Sequence, residues 1–159
     1  MKAFIRDYLP DKYLEILDLG SQIVRKQPEG SYSPLFTNPK WHCLGADIVD
    51  GDNVDVVIEP YKFPFPSNSF DVVISGQTIE HMEFPWIWFK ELARVLKKGG
   101  LTCIITPAVI HEHKYPIDTY RYYPDGMKAL AKWSKLRVLK TKRVVVDAKM
   151  EDTYLIATK

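Results

Sequence analysis

Short runs of apolar residues recur along the chain, separated by polar segments that contain glycine or proline. Runs of this length that are apolar on both faces are typical of strands in a parallel sheet covered on both sides. Because neighbouring parallel strands need crossover connections, the pattern predicts an α/β fold built on an open, Rossmann-like sheet. The first five predicted strands cover residues 13–19, 41–48, 54–58, 70–75 and 101–106.

Two helices are predicted between and after these strands. The clearer one spans residues 85–98, starts on a proline, carries an apolar stripe at helical spacing and is followed by Gly99, a favoured helix terminator. A second helix spans residues 124–134 and also starts on a proline. Two further strands, residues 136–146 and 152–158, complete the pattern.

Composition limits the class of protein and its partners. The 159 residues predict one domain, residues 1–159, and 46% hydrophobic with 26% charged residues are the proportions of a globular protein. The net charge of +2 indicates no nucleic-acid or membrane partner by itself. Residues 131–143 are strongly basic, which fits a nucleic-acid groove or an exposed edge strand. We favour the edge strand, because Trp133 is the only aromatic residue there.

The cysteines and the first residues indicate the compartment. Cys43 and Cys103 lie in two separate predicted strands and match no metal-ligand spacing, so we expect free thiols in a reducing environment. Residues 1–8 lack the apolar segment of a signal peptide. No apolar run approaches the length of about 18 residues that a membrane span needs. The expected location is therefore cytoplasmic.

Acids and small residues stand at the predicted carboxyl ends of the strands. Asp18 and Gly20 end the first strand, Asp47 the second, and Glu59 the third, while Gln77 follows the fourth. Ligands of open parallel sheets bind beyond these strand ends. A carboxylate after the second strand suits a ribose diol, whose hydroxyls can both donate to it, and glycine lets a ligand approach the backbone.

Later motifs identify a family. The segments FPFPSNSFDVVIS at 63–75, IEHM at 79–82 and ELARVLKKGG at 91–100, followed by the strand 101–107, together resemble the class I S-adenosylmethionine-dependent methyltransferases of the small-molecule branch. The resemblance covers nearly the whole chain. It implies a seven-stranded sheet with an antiparallel last strand, S-adenosylmethionine as cofactor, and methyl transfer to a small acceptor.

The resemblance also implies roles for individual residues. It places Asp18, Gly20, Ser21 and Gln77 beside the methionine part of the cofactor, Asp47 on the ribose and Glu59 near the adenine. Tyr61 either stacks near the adenine or is an ordinary packed tyrosine. His81 either faces the transferred methyl group or is a structural histidine held by backbone hydrogen bonds.

The chain departs from the family at its first loop. Gly20 is followed by Ser21 and then by larger residues instead of further glycines. Residues 22–40 contain several prolines without a helical period, and only residues 49–52 join the second predicted strand to the third. We therefore expect reduced helix cover near the second and third strands, with a homodimer covering the apolar surface left there.

The loop at residues 108–123 predicts the acceptor side of the site. It is dense in polar aromatic and ionisable side chains and follows the fifth strand. His111 and Tyr120 are candidates for proton transfer, although His111 and His113 also fit ordinary surface histidines. His111 and His113 with Asp118 offer possible metal ligands, but nothing elsewhere completes a ligand set, so no metal site is predicted. The candidate acceptor residues are His111, His113, Tyr115, Asp118 and Arg121.

Two other functions remain open at this point. A nicotinamide-dependent oxidoreductase would share the parallel sheet and the ribose acid, but its G-x-G-x-x-G fingerprint needs more glycines than residues 20–25 supply. A noncatalytic binding or scaffold protein with a methyltransferase shape is the other alternative, which the shortened first loop favours.

Overall fold

A computed structural model describes residues 1–24 and 32–159. A seven-stranded sheet with the order β3-β2-β1-β4-β5-β7-β6 forms the centre of the fold. The first five strands in this order, β3, β2, β1, β4 and β5, pair in parallel. Strand β7 pairs antiparallel with both β5 and β6. This confirms the predicted fold class. The strands are β1 (Leu14–Leu19), β2 (Trp41–Asp47), β3 (Val56–Val57), β4 (Phe70–Gly76), β5 (Leu96–Val109), β6 (Arg137–Val145) and β7 (Glu151–Thr158).

Helices cover the two faces of the sheet unequally. The helices are α1 (Lys2–Tyr8), α2 (Pro85–Val95) and α3 (Pro124–Trp133). Buried residues of α2 and α3 pack on one face, with Leu17, Leu19 and Ile104, and α1 covers the opposite face through Phe4. The longest helix in the described part of the chain, α2, has 11 residues, which is too short to span a membrane.

The α1 face has an irregular cover near β1 and β2. In residues 22–24 and 32–40 the only helical element is a 3₁₀ turn at Ser33–Leu35, and no helix lies between β2 and β3. Phe36, with Tyr32 and Leu35, packs against Ile16 and Ile74 where a crossover helix would otherwise lie. The reduced helix cover is thus confirmed for these parts. The same expectation for residues 25–31 lies outside the described residues.

Helix α2 ends earlier than the sequence predicts. The apolar stripe is buried as expected, with Trp88, Phe89 and Leu92 almost inaccessible. However, the helix stops at Val95 instead of residue 98, because Leu96 is already extended and pairs with Phe70 of β4. Residues 97–100 bulge out of this pairing, and Gly99 supplies a positive φ of 75° within the bulge. Strand pairing here overrides helix propensity.

Three other elements differ from the prediction. Helix α1 was not predicted, because only Phe4 of its residues is fully buried and the apolar signal is correspondingly weak. Strand β3 is shorter than residues 54–58, since the chain turns at Asn53 with a φ of 70°. Strand β5 continues beyond residue 106 to Val109 by pairing with β7.

The basic segment lies on an exposed sheet edge. Strand β6 is the last strand of the sheet and pairs only with β7, and most of its residues are exposed or half-buried. Lys140, Lys142 and Arg143 lie along it. Residues 137–143 of the basic segment thus lie in the expected edge strand, and charge on such a strand discourages pairing with another chain.

Candidate functional site

The candidate site lies where the strand order reverses, at the carboxyl ends of β1 and its neighbours β2 and β4. Gly20 ends β1 with a φ of 77°, and a side chain at this position would meet Thr78 within 2.0 Å. The Ser75 hydroxyl donates a hydrogen bond of 2.7 Å to the Leu19 carbonyl group. Glycine is thus required both by the backbone conformation and by the close approach of Thr78.

Asp47 fixes the turn that follows β1. Its Oδ2 atom accepts a hydrogen bond of 3.0 Å from the Gln22 backbone N–H, and its Oδ1 atom accepts bonds of 2.7 and 3.4 Å from the Ile48 and Val49 backbone N–H groups. Each carboxylate oxygen has two lone pairs. The partly exposed carboxylate therefore keeps one free lone pair, on Oδ2, and a ligand hydroxyl could replace the long Val49 bond at Oδ1.

Ser21 is used for packing rather than presented to solvent. It is buried, its hydroxyl donates to the Asn53 carbonyl group at 2.7 Å, and the Asn53 side-chain amide donates to the Ser21 carbonyl group at 3.0 Å. These bonds fasten the β2–β3 connection to the turn after β1. The side chain predicted to contact a ligand thus points into the protein.

Asp18 is an acid buried near this turn. It is 5% exposed, and no hydrogen bond to its carboxyl group occurs within residues 1–24 and 32–159. Burial, with the negative charge of Asp47 as a smaller cause, raises the pKa of Asp18 to about 7. The side chain lines a cavity of about 260 Å³ together with Cys43, Asn53 and Asp55.

Gln77 links the end of β4 to β7. It has a positive φ of 55°, and its side-chain amide donates a hydrogen bond of 3.1 Å to Oδ2 of Asp152. The Oδ1 atom of Asp152 is buried without a partner in the described residues, and burial raises the pKa of this acid. Tyr32 packs over Gly76, where a side chain would lie within 2.1 Å of its ring. No sequence motif indicates Asp152 or Tyr32, so neither was predicted.

Glu59 and Tyr61 lie on the connection after β3. Glu59 is exposed and forms an isolated antiparallel bridge with Lys62. The Tyr61 hydroxyl accepts hydrogen bonds from the backbone N–H groups of Glu83 and Phe84, at 3.0 and 3.3 Å. Tyr61 therefore holds the segment before α2 in place, and its ring packs on Phe84 with the centroids 5.5 Å apart.

Asp118 and Arg121 organise the loop after β5. Arg121 donates two hydrogen bonds to the Asp118 carboxylate, at 2.5 and 2.6 Å, and a third to the His111 carbonyl group at 3.1 Å. Asp118 also accepts from the His113 backbone N–H at 2.6 Å. The guanidinium group holds the pKa of Asp118 far below its usual value. These two residues, predicted to contact an acceptor, are occupied in shaping the loop.

His81 lies in the 3₁₀ turn Ile79–His81, directly after β4. Its Nδ1 atom lies 2.6 Å from the Ile117 carbonyl oxygen, so Nδ1 carries a proton and donates. Burial is the main cause of the lowered pKa of His81. The rings of His113 and Tyr115 pack against it at centroid distances of 5.0 and 5.9 Å. The structure therefore brings these three predicted residues together.

His111 and Tyr120 lie at the margin of this group. The His111 side chain is exposed, with its ring 6.2 Å from that of His113. The Tyr120 hydroxyl donates to the Glu83 carbonyl group at 3.2 Å, and its ring packs on Tyr122.

Glu80 is a member of the site that the sequence analysis missed. Its side chain is fully buried, and burial raises its pKa to about 8. The Thr106 hydroxyl donates to its Oε2 atom at 3.1 Å. Its backbone carbonyl group accepts from the Thr119 hydroxyl at 2.6 Å, which ties the turn to the loop after β5. An acid immediately before His81 in the IEHM motif was the signal available.

Comparison with known proteins finds similarity to methyltransferases over part of the chain. Residues 33–104 match a family described as a methyltransferase domain. A stretch of 56 residues is 39% identical to the uncharacterized methyltransferase C1B3.06c of Schizosaccharomyces pombe, and it covers 35% of this chain and 20% of that protein. The chain therefore spans about a fifth of the length of this curated relative.

Solved structures share the fold over the whole chain. The crystal structure of the [4+2]-cyclase SpnF matches with a TM-score of 0.76 at 15% identity, covering 99% of this chain and 78% of that one. Phosphoethanolamine N-methyltransferase 2 of Haemonchus contortus, in complex with S-adenosyl-L-methionine, matches with a TM-score of 0.74 at 15% identity, covering 98% and 51%. These likenesses show the fold.

The raised pKa of Asp18 predicts a change in the pH dependence of stability. A buried acid with a raised pKa stabilises the folded state below its unfolded pKa, and this contribution disappears as the pH rises through about 7. Asp18→Asn removes the titrating group. The variant should gain stability relative to the parent between pH 5 and pH 8, by on the order of 2 kcal/mol, measured by urea unfolding.

Asp50→Asn is the matched control, because Asp50 is an exposed acid in the nearby β2–β3 connection. Its stability should follow that of the parent across the same pH range. Parallel curves for Asp18→Asn and the parent would show that Asp18 titrates at the same pH in the folded and unfolded states.

Proposed function

We propose that this chain is a class I S-adenosylmethionine-dependent methyltransferase, which transfers a methyl group from S-adenosylmethionine to a small-molecule acceptor. The observation that carries the proposal is the Asp47 carboxylate beside the Gly20 turn, at the carboxyl end of β2. A partly exposed acid with an unused lone pair at this place suits the ribose of an adenosine cofactor.

Both side chains and backbone groups around the Gly20 turn are proposed to contact the cofactor. Asp47 would accept both ribose hydroxyls, and the Gly20 backbone would lie against the methionine part. Asp18 and Gln77 are proposed beside the same part, where Asp18 supplies a buried carboxyl group with no bonded partner in the described residues. Ser21 is proposed to act indirectly, because its hydroxyl is already bonded to Asn53.

The adenine end is proposed near Glu59 and Tyr61. The Ile58 backbone N–H donates to the Asp47 carbonyl group at 2.8 Å, so the residue after it follows directly from the proposed ribose acid. The Tyr61 hydroxyl is engaged with the segment before α2, which leaves its ring as the part that can pack on a base. Glu59 has an exposed side chain that can accept from an amino group.

The chemistry needs mainly alignment from the protein. When bound, the sulfonium group of the cofactor supplies an electrophilic methyl group together with a good leaving group. The residues of the chain then have to hold the acceptor atom in line and exclude water. We propose that His81 in the turn after β4 does this together with His113 and Tyr115 in the loop after β5, with His111 and Tyr120 at the margin.

The two alternatives are separable by ligand binding. The [4+2]-cyclase with the same fold illustrates that this architecture alone does not fix a reaction. Thermal unfolding with S-adenosylhomocysteine, S-adenosylmethionine and NAD distinguishes the candidates, because a ligand at about 100 times its dissociation constant adds about 2.7 kcal/mol. Stabilisation by NAD alone would indicate an oxidoreductase, and stabilisation by none of them a noncatalytic protein.

Asp47→Ala tests the proposed ribose contact. Loss of charge-assisted hydrogen bonds should weaken S-adenosylhomocysteine binding by about 1.5–3 kcal/mol in calorimetry. Asp47→Asn keeps one acceptor oxygen and should lose less, whereas the exposed neighbour Asp50→Ala should bind like the parent. An unchanged affinity in Asp47→Ala would contradict the assignment.

Variants of the loop after β5 test the acceptor side. His111→Ala and Tyr120→Phe remove groups at the margin of the loop, so they should lower turnover or raise the acceptor Michaelis constant. Affinity for S-adenosylhomocysteine should stay within a few-fold, because the cofactor acids lie on other elements. An acceptor for the assay can come from a screen of labelled methyl transfer into cell extract. Parental turnover in both variants, or a large loss of cofactor affinity, would show that the loop is only a scaffold.

The thinly covered edge of the sheet supports a homodimer. Strand β3 is the edge strand, and Val49 and Val57 near it are 52% and 54% exposed. A second copy of the chain would cover these side chains. Light scattering at high micromolar concentration should then give twice the 18.4 kDa of one chain. A monomer mass at that concentration would contradict the proposal.

The proposed compartment is the cytoplasm. Both Cys43 and Cys103 are free thiols in the structure, which a reducing compartment maintains. Recovery of the protein in a secreted or membrane fraction of cells that express it would contradict this.

A further inference from the structure

Three potential ligands for a cation meet beside the loop after β5. They are the side chains of Glu80, His81 and His113, and one nitrogen or oxygen atom from each lies within 4.8 Å of the others. The first two come from the turn after β4, and the third from a loop more than thirty residues later. The fold thus assembles a group that no local sequence spacing reveals.

Both histidines keep the same ring nitrogen, Nε2, available for a cation. The Nδ1 atom of His81 lies 2.6 Å from the Ile117 carbonyl oxygen, and that of His113 lies 3.2 Å from the His111 carbonyl oxygen. A carbonyl oxygen only accepts, so each Nδ1 atom carries the proton and each Nε2 atom keeps a lone pair. Histidines that bind metals usually donate their other N–H in this way, which fixes the tautomer and the ring orientation.

The carboxyl group of Glu80 is hydrogen-bonded through only one of its two oxygen atoms among the described residues. Its side chain is fully buried, and its Oε1 atom has no hydrogen-bond partner in the described residues. The Nε2 atom of His81 lies 3.7 Å from this oxygen. A buried carboxylate without a counter-ion is costly, so the group either holds a proton or pairs with a cation.

We propose that Glu80 Oε1, His81 Nε2 and His113 Nε2 form a binding site for a divalent transition metal of the zinc class. Two imidazole nitrogens and one carboxylate oxygen are a set that zinc binds in proteins, with a fourth position open to water or to an oxygen of a ligand. Ligands at about 2.0–2.2 Å from zinc in a tetrahedron lie about 3.4 Å apart. The 3.7 Å between Glu80 and His81 is close to this spacing, and the partly exposed His113 would move inwards.

The ligands differ from those considered in the sequence. Asp118 was the acid considered with His111 and His113, but Arg121 occupies its carboxylate. The completing residues come instead from the turn after β4, and the Thr106 hydroxyl supports the acid by donating to its other oxygen. The proposal does not depend on methyl transfer, because it requires only these side chains and their geometry.

Metal binding to the whole chain tests the site directly. Protein stripped with a chelator should bind one equivalent of Zn²⁺ in competition with a chromophoric chelator. Co²⁺ should give the intense visible absorption of a four-coordinate ion. His113→Ala should weaken Zn²⁺ binding by more than about 100-fold, since even the loss of an outer-shell partner costs 10–100-fold. Glu80→Gln should lower affinity similarly, and His113→Ala serves as the test if the buried Glu80→Gln variant does not fold.

His111→Ala and His42→Ala are the controls. His111 is on the same loop but outside the group, and His42 is an exposed histidine bonded to Glu15. Both should bind Zn²⁺ like the parent. Absence of stoichiometric binding, parental affinity in His113→Ala, or an equal loss in His111→Ala would overturn the site. S-adenosylhomocysteine binding, measured on the same stripped protein, reports separately on the proposed function.

Discussion

The hydrogen bonds that Asp47 and Ser21 make with their neighbours hold the candidate site in shape. A parallel crossover normally takes a dozen or more residues and carries a helix, yet the chain between β2 and β3 has none. Asp47 accepts from Gln22, and Ser21 exchanges hydrogen bonds with Asn53. These bonds satisfy backbone groups that a helix would otherwise satisfy internally. The polar network therefore both replaces the missing helix and shapes the turn that the proposed cofactor would contact.

Replacement of helices by polar contacts has an electrostatic consequence. Asp18 and Glu80 are both buried at the carboxyl edge of the sheet, and burial raises the pKa of each. Neither carboxyl group forms an ion pair with lysine or arginine among the described residues. By contrast, Arg121 lowers the pKa of Asp118 in the loop after β5. Arg121 thus pairs with an acid inside the loop, and Asp18 and Glu80 remain able to bind a group from outside the chain.

The strands could be predicted because their signal is strong and local. Residues 14–19 and 70–76 are apolar on both faces, and only the interior of a covered parallel sheet accommodates such segments. The end of α2 could not be predicted, because the pairing of Leu96 with Phe70 depends on a strand more than twenty residues earlier in the chain. Helix α1 has too few buried residues to give a periodic signal.

The sequence predicts which residues of the candidate site stand at the ends of strands, but it does not predict which partners their side chains contact. Asp47 could be found because position at the end of a strand is a property of the sequence pattern. The engagement of Ser21 with Asn53, or of Asp118 with Arg121, depends on loop geometry that no pattern encodes. Glu80 could not be recognised for a related reason. An acid beside a histidine gives no sign of burial in the sequence, and only the fold shows that the Glu80 side chain is fully buried.

Side chains alternate between the two faces of the sheet along each strand, which separates the acids near Gly20 from Glu80. Asp18, Asp47 and Asp152 share strand parity with residues packed under α1, such as Ile16 and Ile156. Thr106, which donates to Glu80, shares parity with Ile104 on the face of α2 and α3. These three acids and Glu80 therefore approach the same edge of the sheet from opposite faces.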